Sequence, residues 1–322
     1  MDSGGTPPNQ RAPFFSVVIP VFNREATIKR AIDSCLSQSF SDFEVVVVDD
    51  FSRDATVESV ESFADARVSL VRHRSNMGVC AARNTGVAAT RGMWLVMLDS
   101  DDELAPGAFG RLARRARVAG ADVGNVGTQC RWDDGHISPG ISFDSSTFDF
   151  PGFLRWLDTL EPHQVEWFNC IRREVFREVC YPAGRTYEGG FHLDLASRWS
   201  FQVSSDVTAY HHSDVPGITR EAGEVALAGL YRVALDSLRE TERILVKHGA
   251  ALRRSAPDRY VQLLRGGSVH AFLLGQRRRG LRMSMRAIRL APFDTKAWLV
   301  PLLGFVSGRL LAWVKISRTP RE

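Results

Sequence analysis

The chain has 322 residues, with 41 Lys and Arg against 37 Asp and Glu, and 44% of it is apolar. That balance excludes wholly disordered and collagen-like chains, and at about 150 residues per domain it predicts roughly two domains. No apolar run reaches the ~18–20 residues of a membrane-spanning helix, and the five cysteines (35, 80, 130, 170 and 180) lack CxxC spacing, so they read as buried or free thiols rather than a metal or disulfide framework.

Charge is unevenly spread. Residues 220–322 carry a net +12 and residues 1–219 a net −8. An acidic front and a basic back predict two parts with different partners. Residues 1–13 are rich in Gly, Pro and Asn and are expected to be disordered. They contain no apolar segment of the secretory-signal kind, which places the protein in the cytoplasm as an expectation.

Taken in chain order, Phe15–Ile19 is a short apolar strand bounded by Pro20. Residues 23–39 carry Ile28, Ala31, Ile32, Cys35 and Leu36 at helical spacing. Phe43–Val48 is a second buried strand, closed by Asp49 and Asp50. A helix over Thr56–Phe63, a strand over Val68–Val71 and a small-residue helix over Gly78–Ala89 follow. Trp94–Leu98 is the fourth strand and runs into Asp99, Ser100, Asp101 and Asp102. Such alternation predicts right-handed βαβ units around a mostly parallel, Rossmann-like sheet. Ligands bind such sheets beyond the carboxyl ends of the strands. Asn23, the Asp49–Asp50 pair and the Asp99–Asp102 cluster all stand there.

Residues 120–215 mix a short strand at Val165–Ile171 with helical pieces and many aromatics. From residue 221 onward the pattern is helical, with Leu227, Leu230, Val233, Ala234 and Leu238 in register. Gly280–Pro292 followed by Lys296, Ala297 and Trp298 is similar to one half of a tetratricopeptide-type repeat.

Three clusters carry chemistry. Asp99, Asp101 and Asp102 crowd like charges on one turn, which is unfavourable unless a cation or several donors offset it. Mg²⁺ typically takes one or two carboxylates together with substrate phosphates, so a metal-bound nucleotide diphosphate suits the cluster. The plainer reading is a solvated acidic turn that caps a helix. Asp50 offers a carboxylate to the N–H of a base or to a ribose hydroxyl, and Ser52 or Asp54 caps the next helix. The segment Asn76–Gly86 places Arg83 and Asn84 one turn inside a helix; small residues there allow close backbone approach, and Arg clamps phosphate.

Together, Ser16–Asn23, Ser37–Gln38, Val47–Asp54, Asn76–Gly78, Ala82–Gly86 and Leu98–Asp102 resemble, in order and spacing, the inverting family 2 glycosyltransferases of GT-A fold. The resemblance is close over residues 14–110 and looser over 111–215. It implies a GT-A domain over 14–219, then a basic helical region over 220–322. It implies a nucleotide-diphosphate-sugar donor held by Pro20, Phe22, Asn23, Asp50, Arg83, Asn84, Asp99 and Ser100. Mn²⁺ or Mg²⁺ would sit at Asp101, supported by Asp102 and by His212 of the His211–His212 pair. An inverting transfer also needs a base for the acceptor hydroxyl. The family's Glu-Asp pair reads Glu188-Gly189 in this chain, so the base is expected at Glu188, with Asp194 and His192 as alternatives. Asp194 and Arg198 could instead form a surface pair one helical turn apart. Trp132, Trp156, Trp167 and Phe168 either line an acceptor groove or fill the core.

The basic tail sets Arg277, Arg278, Arg279, Arg282, Arg286 and Arg289 before the apolar stretch Ala297–Val306 and its continuation to Val314. A basic, Trp-containing apolar helix suits the face of an anionic bilayer; the alternative is a helical hairpin packed on the enzyme. No nucleic-acid motif is present. The resulting expectation is a metal-dependent transferase acting on a glycan or lipid-linked acceptor at the inner membrane face. Its rivals are a GT-A binding protein that has lost catalysis, for which the missing Asp after Glu188 speaks, and a nucleotidyltransferase. The latter usually carries a Gly-rich basic loop where this chain has Val21, Phe22, Asn23 and Arg24.

Overall fold

The computed structural model describes residues 11–161, 166–183, 189–213 and 225–306. Its centre is a ten-stranded mixed sheet in the order β3-β2-β1-β4-β9-β6-β10-β5, with β7 on β6 and β8 on β10. The first four strands are β1 (Phe15–Val21), β2 (Phe43–Asp49), β3 (Val68–Arg72) and β4 (Trp94–Met97), all mutually parallel. Then come β5 (Glu103–Leu104), β6 (Val123–Trp132), β7 (Ile137–Ser138), β8 (Ser145–Phe148), β9 (Phe168–Arg172) and β10 (Ser200–His211). Strand β9 runs antiparallel to both β4 and β6.

Alternation along β1 and β2 buries both faces, as apolar runs in a covered parallel sheet must. Val17, Ile19, Val45 and Val47 face α1 (Ile28–Leu36) and α4 (Ala108–Val118). Val46 and Val48 instead meet Ala82 of α3 (Val79–Ala89). Helix α3 lies so close to the sheet that a Cβ on Gly86 would fall 2.3 Å from Val18 Cγ1. Between β2 and β3 stands the short α2 (Thr56–Glu61).

Several boundaries differ from the sequence pattern, among them the expected strand Val165–Ile171, which forms over Phe168–Arg172, and two of the differences have a local cause. β1 continues through Pro20, because pairing with β4 ends at Val18 and Pro20 faces only β2, where its missing N–H costs little. α1 begins at Ile28 rather than near Asn23, because Asn23 takes a left-handed conformation (φ 51°) that a helix cannot continue.

The face opposite α1 and α4 is covered by α5 (Phe150–Thr159), α6 (Gly189–Ala196) and the C-terminal helices α7 (Val225–Ser255) and α8 (Pro257–Leu273). Phe153, Phe191, Leu195 and Phe201 form one core with Leu238, Ile244, Tyr260 and Leu264. The helical region therefore shares the sheet's own hydrophobic core. α9 (Arg277–Leu290) and α10 (Thr295–Val306) follow, packed on α8 through Phe272, Met283 and Ala287. All five cysteines are free, as expected. Residues 1–10, the expected domain boundary near 219 and the tail beyond 306 lie outside the described residues. Among the described residues no helix is long and apolar enough to cross a membrane.

Candidate active site

The polar clusters gather where the topology predicts. At the end of β2, the Asp50 carboxylate accepts from the backbone N–H groups of Met77 (2.7 Å) and Gly78 (2.6 Å) and meets His73 Nδ1 at 2.8 Å. It is 3% exposed. Asp50 thus ties the β2 turn to the loop before α3. Asn23 does the same between β1 and β2: its side-chain carbonyl accepts from Arg53 N at 2.9 Å, and its own N–H donates to Ser52 Oγ. Pro20 is buried in the strand, while Phe22 is half-buried beside it.

Asn84 is also a strut. Its amide donates to the Tyr181 carbonyl and accepts from Tyr181 N–H, both at 3.0 Å. That clamp fixes Tyr181, whose ring lies 5.5 Å beneath the Arg83 guanidinium. Arg83 is buried and donates to Asp99 Oδ1 at 2.6 Å. Burial opposes its charge, but the Asp99 carboxylate outweighs it and keeps the guanidinium protonated. Asp99 itself is half exposed, at 48%, and Ser100 is buried next to it.

Asp101 lies 3.6 Å from Arg24. Burial first, and the Asp99 charge second, push its carboxyl above the usual range. Asp102 is more deeply buried and hydrogen-bonds His211 Nδ1, while its other oxygen accepts from His212 N at 3.3 Å. Burial opposes the charged form of His211, but bonding to Asp102 and to the Cys130 thiol raises it to about 11, so the ring is an imidazolium. His211 and His212 are adjacent on an extended segment and point to opposite sides. His211 faces the cavity described below, whereas His212 Nδ1 is held by Asp133 at 2.8 Å and its Nε2 lies 2.9 Å from Glu103.

The expected ligand pair Asp102 and His212 is therefore committed to protein partners, and among the described residues no three His, Cys, Asp or Glu side chains converge on one point. Asp99 and Asp101 would suit a hard divalent ion completed by a donor diphosphate: although Arg83 and Arg24 stand beside them, both carboxylates keep exposed surface (48% and 26%), Asp99 on the cavity and Asp101 outside its lining. An ion enclosed by protein ligands alone does not fit.

A cavity of about 660 Å³ runs from Arg83, Asp99, Asp102 and His211 past Glu166, Trp167 and His192 to α7 and α8. Antiparallel β9 explains how Glu166 gets there: its start lies beside the carboxyl end of β4. Glu166 approaches His211 Nε2 at 3.8 Å, and burial and Asp99 raise its pKa against the pull of His211. Trp167 and Phe168 line the cavity, and Trp167 Nε1 donates to Asn169 at 3.0 Å. Trp156 instead fills the core against Phe153 and Phe148, and Trp132 packs on His136 and His211.

Of the base candidates, Glu188 lies outside the described residues. Asp194 is absent from the cavity lining; it is gripped by Arg243 (2.7 Å), Lys247 (2.7 Å) and His248 (2.6 Å) of α7. Burial raises its pKa, but those three partners overwhelm the effect and hold it far below the carboxylate range, so it is a structural anchor and not a base. The surface pair with Arg198 does not form either, since Arg198 faces Glu178 at 3.4 Å. His192 faces the cavity edge-on to Trp167 (5.2 Å), its Nε2 lacks a hydrogen-bond partner, and burial lowers its pKa to about 4. Glu166 and Tyr181 were missed as cavity residues because their placement depends on sheet order and not on local spacing, and of the expected His211–His212 pair it is His211 that faces the cavity.

A mixed sheet with a parallel first half, carboxylates at its strand ends, an arginine on the adjoining α3 and helices over its faces is a GT-A architecture. The chain belongs to glycosyl transferase family 2, whose family model matches residues 16–180. It is 43% identical over 117 residues to the succinoglycan biosynthesis protein ExoO of Rhizobium meliloti, covering 36% of this chain and 34% of that one. Over 87 residues it is 38% identical to an Escherichia coli protein, UDP-Glc:alpha-D-GlcNAc-diphosphoundecaprenol beta-1,3-glucosyltransferase WfgD, covering 27% and 34%. The chain spans about a third of the length of the curated relatives it matches most strongly. In fold it is similar to S. aureus TarS 1–349 solved with UDP-GlcNAc, with a TM-score of 0.57, 17% identity, and coverage of 95% of this chain and 93% of that one.

Proposed function

We propose that the protein transfers a sugar, with inversion, from a nucleotide-diphosphate sugar to a hydroxyl of a glycan or lipid-linked acceptor during cell-surface polysaccharide synthesis. The observation that carries this reading is that one cavity joins Arg83 and Asp99 to Trp167, His192 and helices α7 and α8. It has a charged end for a diphosphate and a mixed polar and apolar end for a second substrate. The donors of the named relatives, UDP-Glc for WfgD and UDP-GlcNAc for the TarS complex, support the donor class.

Asp99 and Asp101 would hold Mg²⁺ or Mn²⁺, which supplies neutralisation of the departing diphosphate. Arg83, pre-set by Asp99 and Tyr181, adds a fixed positive charge where negative charge grows. The proton of the acceptor hydroxyl passes to a carboxylate. Glu188 is the proposed base. Glu166 is the second candidate, because it faces the cavity and its carboxylate is bonded to no other described side chain beyond the 3.8 Å approach of His211. Glu188→Gln is expected to bind donor and lose transfer; retained transfer moves the role to Glu166, which Glu166→Gln then tests.

The basic C-terminal helices support work at the cytoplasmic face of the membrane. α9 exposes Arg278, Arg282, Arg286 and Arg289, and α10 and its entry turn expose Phe293 (95%), Trp298 (48%) and Leu302 (64%). Cosedimentation of the full chain with vesicles containing anionic lipid, but not with neutral vesicles, is the expected result; equal partition sinks the membrane part of the proposal. The function as a whole is tested by incubating the protein with a panel of nucleotide sugars with Mn²⁺ or with EDTA, and measuring nucleoside diphosphate release. Release by no donor under any condition overturns it.

A further inference from the structure

The cavity has a second half that the donor does not account for. Its far wall is built by α7 and α8. Ser237 and Thr241 stand one turn apart on α7, so they share a helix face. As residues they are only 7% and 4% exposed, yet both line the cavity. Neither hydroxyl is hydrogen-bonded to another described residue. The Thr241 methyl packs towards Gly267 of α8, where a Cβ would fall 2.9 Å from it. Across the cavity, His192 Nε2 is buried and has no hydrogen-bond partner. Buried polar groups are rarely left unpaired, because desolvation is then uncompensated. That atom, with the Ser237 and Thr241 hydroxyls beside the same cavity, marks a place where a polar ligand completes the bonding.

The chemistry of the wall narrows the ligand. Hydroxyls and a neutral imidazole exchange hydrogen bonds in either direction, which suits a ligand that is itself rich in hydroxyls. Trp167 and Leu263 add apolar surface of the kind a sugar ring covers. The arginine of this half, Arg259, is spent on the carbonyl oxygens of Leu157 and Leu160 and on Gln262, so it is not aimed at an anion. Resting on the proposed transferase reading, we propose that this half is the acceptor subsite and that it takes an uncharged hexopyranoside ring, with Ser237, Thr241 and His192 as its hydrogen-bonding partners.

The fold supplies a clean way to test this. Gly266 of α8 also lines the cavity, and a Cβ added there meets nothing within 4 Å. Gly266→Leu therefore projects into the subsite without displacing a neighbour, and a non-glycine residue favours the helix. The probes are octyl β-glucoside, octyl β-galactoside and octyl β-N-acetylglucosaminide, read by saturation-transfer NMR on the full chain. UDP binding is titrated in parallel as a readout of the donor end. The wild type is expected to bind at least one glycoside. Gly266→Leu is expected to lose that binding while keeping its thermal midpoint and its UDP affinity. Ser237→Ala and Thr241→Ala are each expected to weaken it roughly five- to tenfold, about the worth of one hydrogen bond. Binding of no glycoside by the wild type overturns the assigned ligand class, and undiminished binding by a folded Gly266→Leu overturns the location. Loss of UDP binding in the wild type would instead overturn the donor reading, which is a separate outcome.

Discussion

The sheet-borne half and the helical half of this molecule build one cavity by different rules. In the first, position follows from topology: parallel strands end together, so Asp50, Arg83 and Asp99–Asp102 arrive at one rim from segments far apart in sequence. In the second, position follows from helix phase: Ser237, Thr241 and Gly266 reach the cavity because each lies on the inward stripe of a long helix. The first rule concentrates charge and the second supplies shape and neutral hydrogen bonds. A divided site of this kind lets the donor end stay chemically fixed while the other wall changes.

The sharpest way to break the comparison is at the charged end. Asp101→Asn is expected to lower donor turnover about 10²–10³-fold, the usual loss for removing one group that stabilises developing charge, while leaving octyl glycoside binding intact. Steady-state release of nucleoside diphosphate measures the first and NMR titration the second; parallel loss of both would mean that the two halves are not separable. Next comes the joint between them. Asp194→Ala leaves Arg243, Lys247 and His248 without their shared carboxylate. Because Arg243 and Lys247 are partly exposed, the cost is set at the low end for a buried pair, about 3 kcal/mol. Urea unfolding should show it, and an unchanged midpoint would remove Asp194 as the anchor.

A smaller effect is expected at the Asp102–His211 pair. His211 is raised to about 11 in the folded protein, above its ordinary ~6.5. Burial pushes its partner Asp102 up to about 6, so the pair's contribution to stability is greatest just above that pH and is lost as pH rises through about 11. His211→Gln should cost about 2 kcal/mol just above that lower pH, and the gap between variant and wild type should close towards pH 11; a gap that widens over that range contradicts the assignment. Smallest of all, Gly266→Ala should stabilise the protein by about 0.5–1 kcal/mol, because it relieves a mid-helix glycine facing open space.

Much of the first half was legible from sequence. Apolar runs gave β1 to β4, and acidic and small residues at their ends gave the rim. Individual roles were less legible. Asp50 and Asn84 have the chemistry of ligand-binding residues, but their oxygens are taken by the backbone of residues 77, 78 and 181. That competition appears only when loops are packed together. Choosing between His211 and His212 requires the phase of β10, and finding Glu166 requires knowing that β9 is inserted antiparallel next to β4. In the helical half the periodicity predicted helices, yet periodicity alone does not say which stripe faces a core and which faces a cavity. Gly190 carries a related lesson. A Cβ there would fall 1.8 Å from Glu240 Oε1 of α7, so at least that glycine of the Gly189–Gly190 pair is a packing requirement.

If Asp99, at the charged end of the cavity, and Asp101, two residues on, hold the metal of a nucleotide-diphosphate donor as proposed, nucleotide binding depends on that metal. The most direct test titrates UDP and GDP into wild type and Asp101→Asn by calorimetry, each with Mn²⁺ and with EDTA. Saturable binding of at least one nucleotide to the wild type is expected, weakening at least tenfold in EDTA, with an Asp101→Asn variant that binds equally weakly in both. Metal-independent binding of equal strength in the two proteins, or binding of neither nucleotide to the wild type, would contradict the proposed metal site.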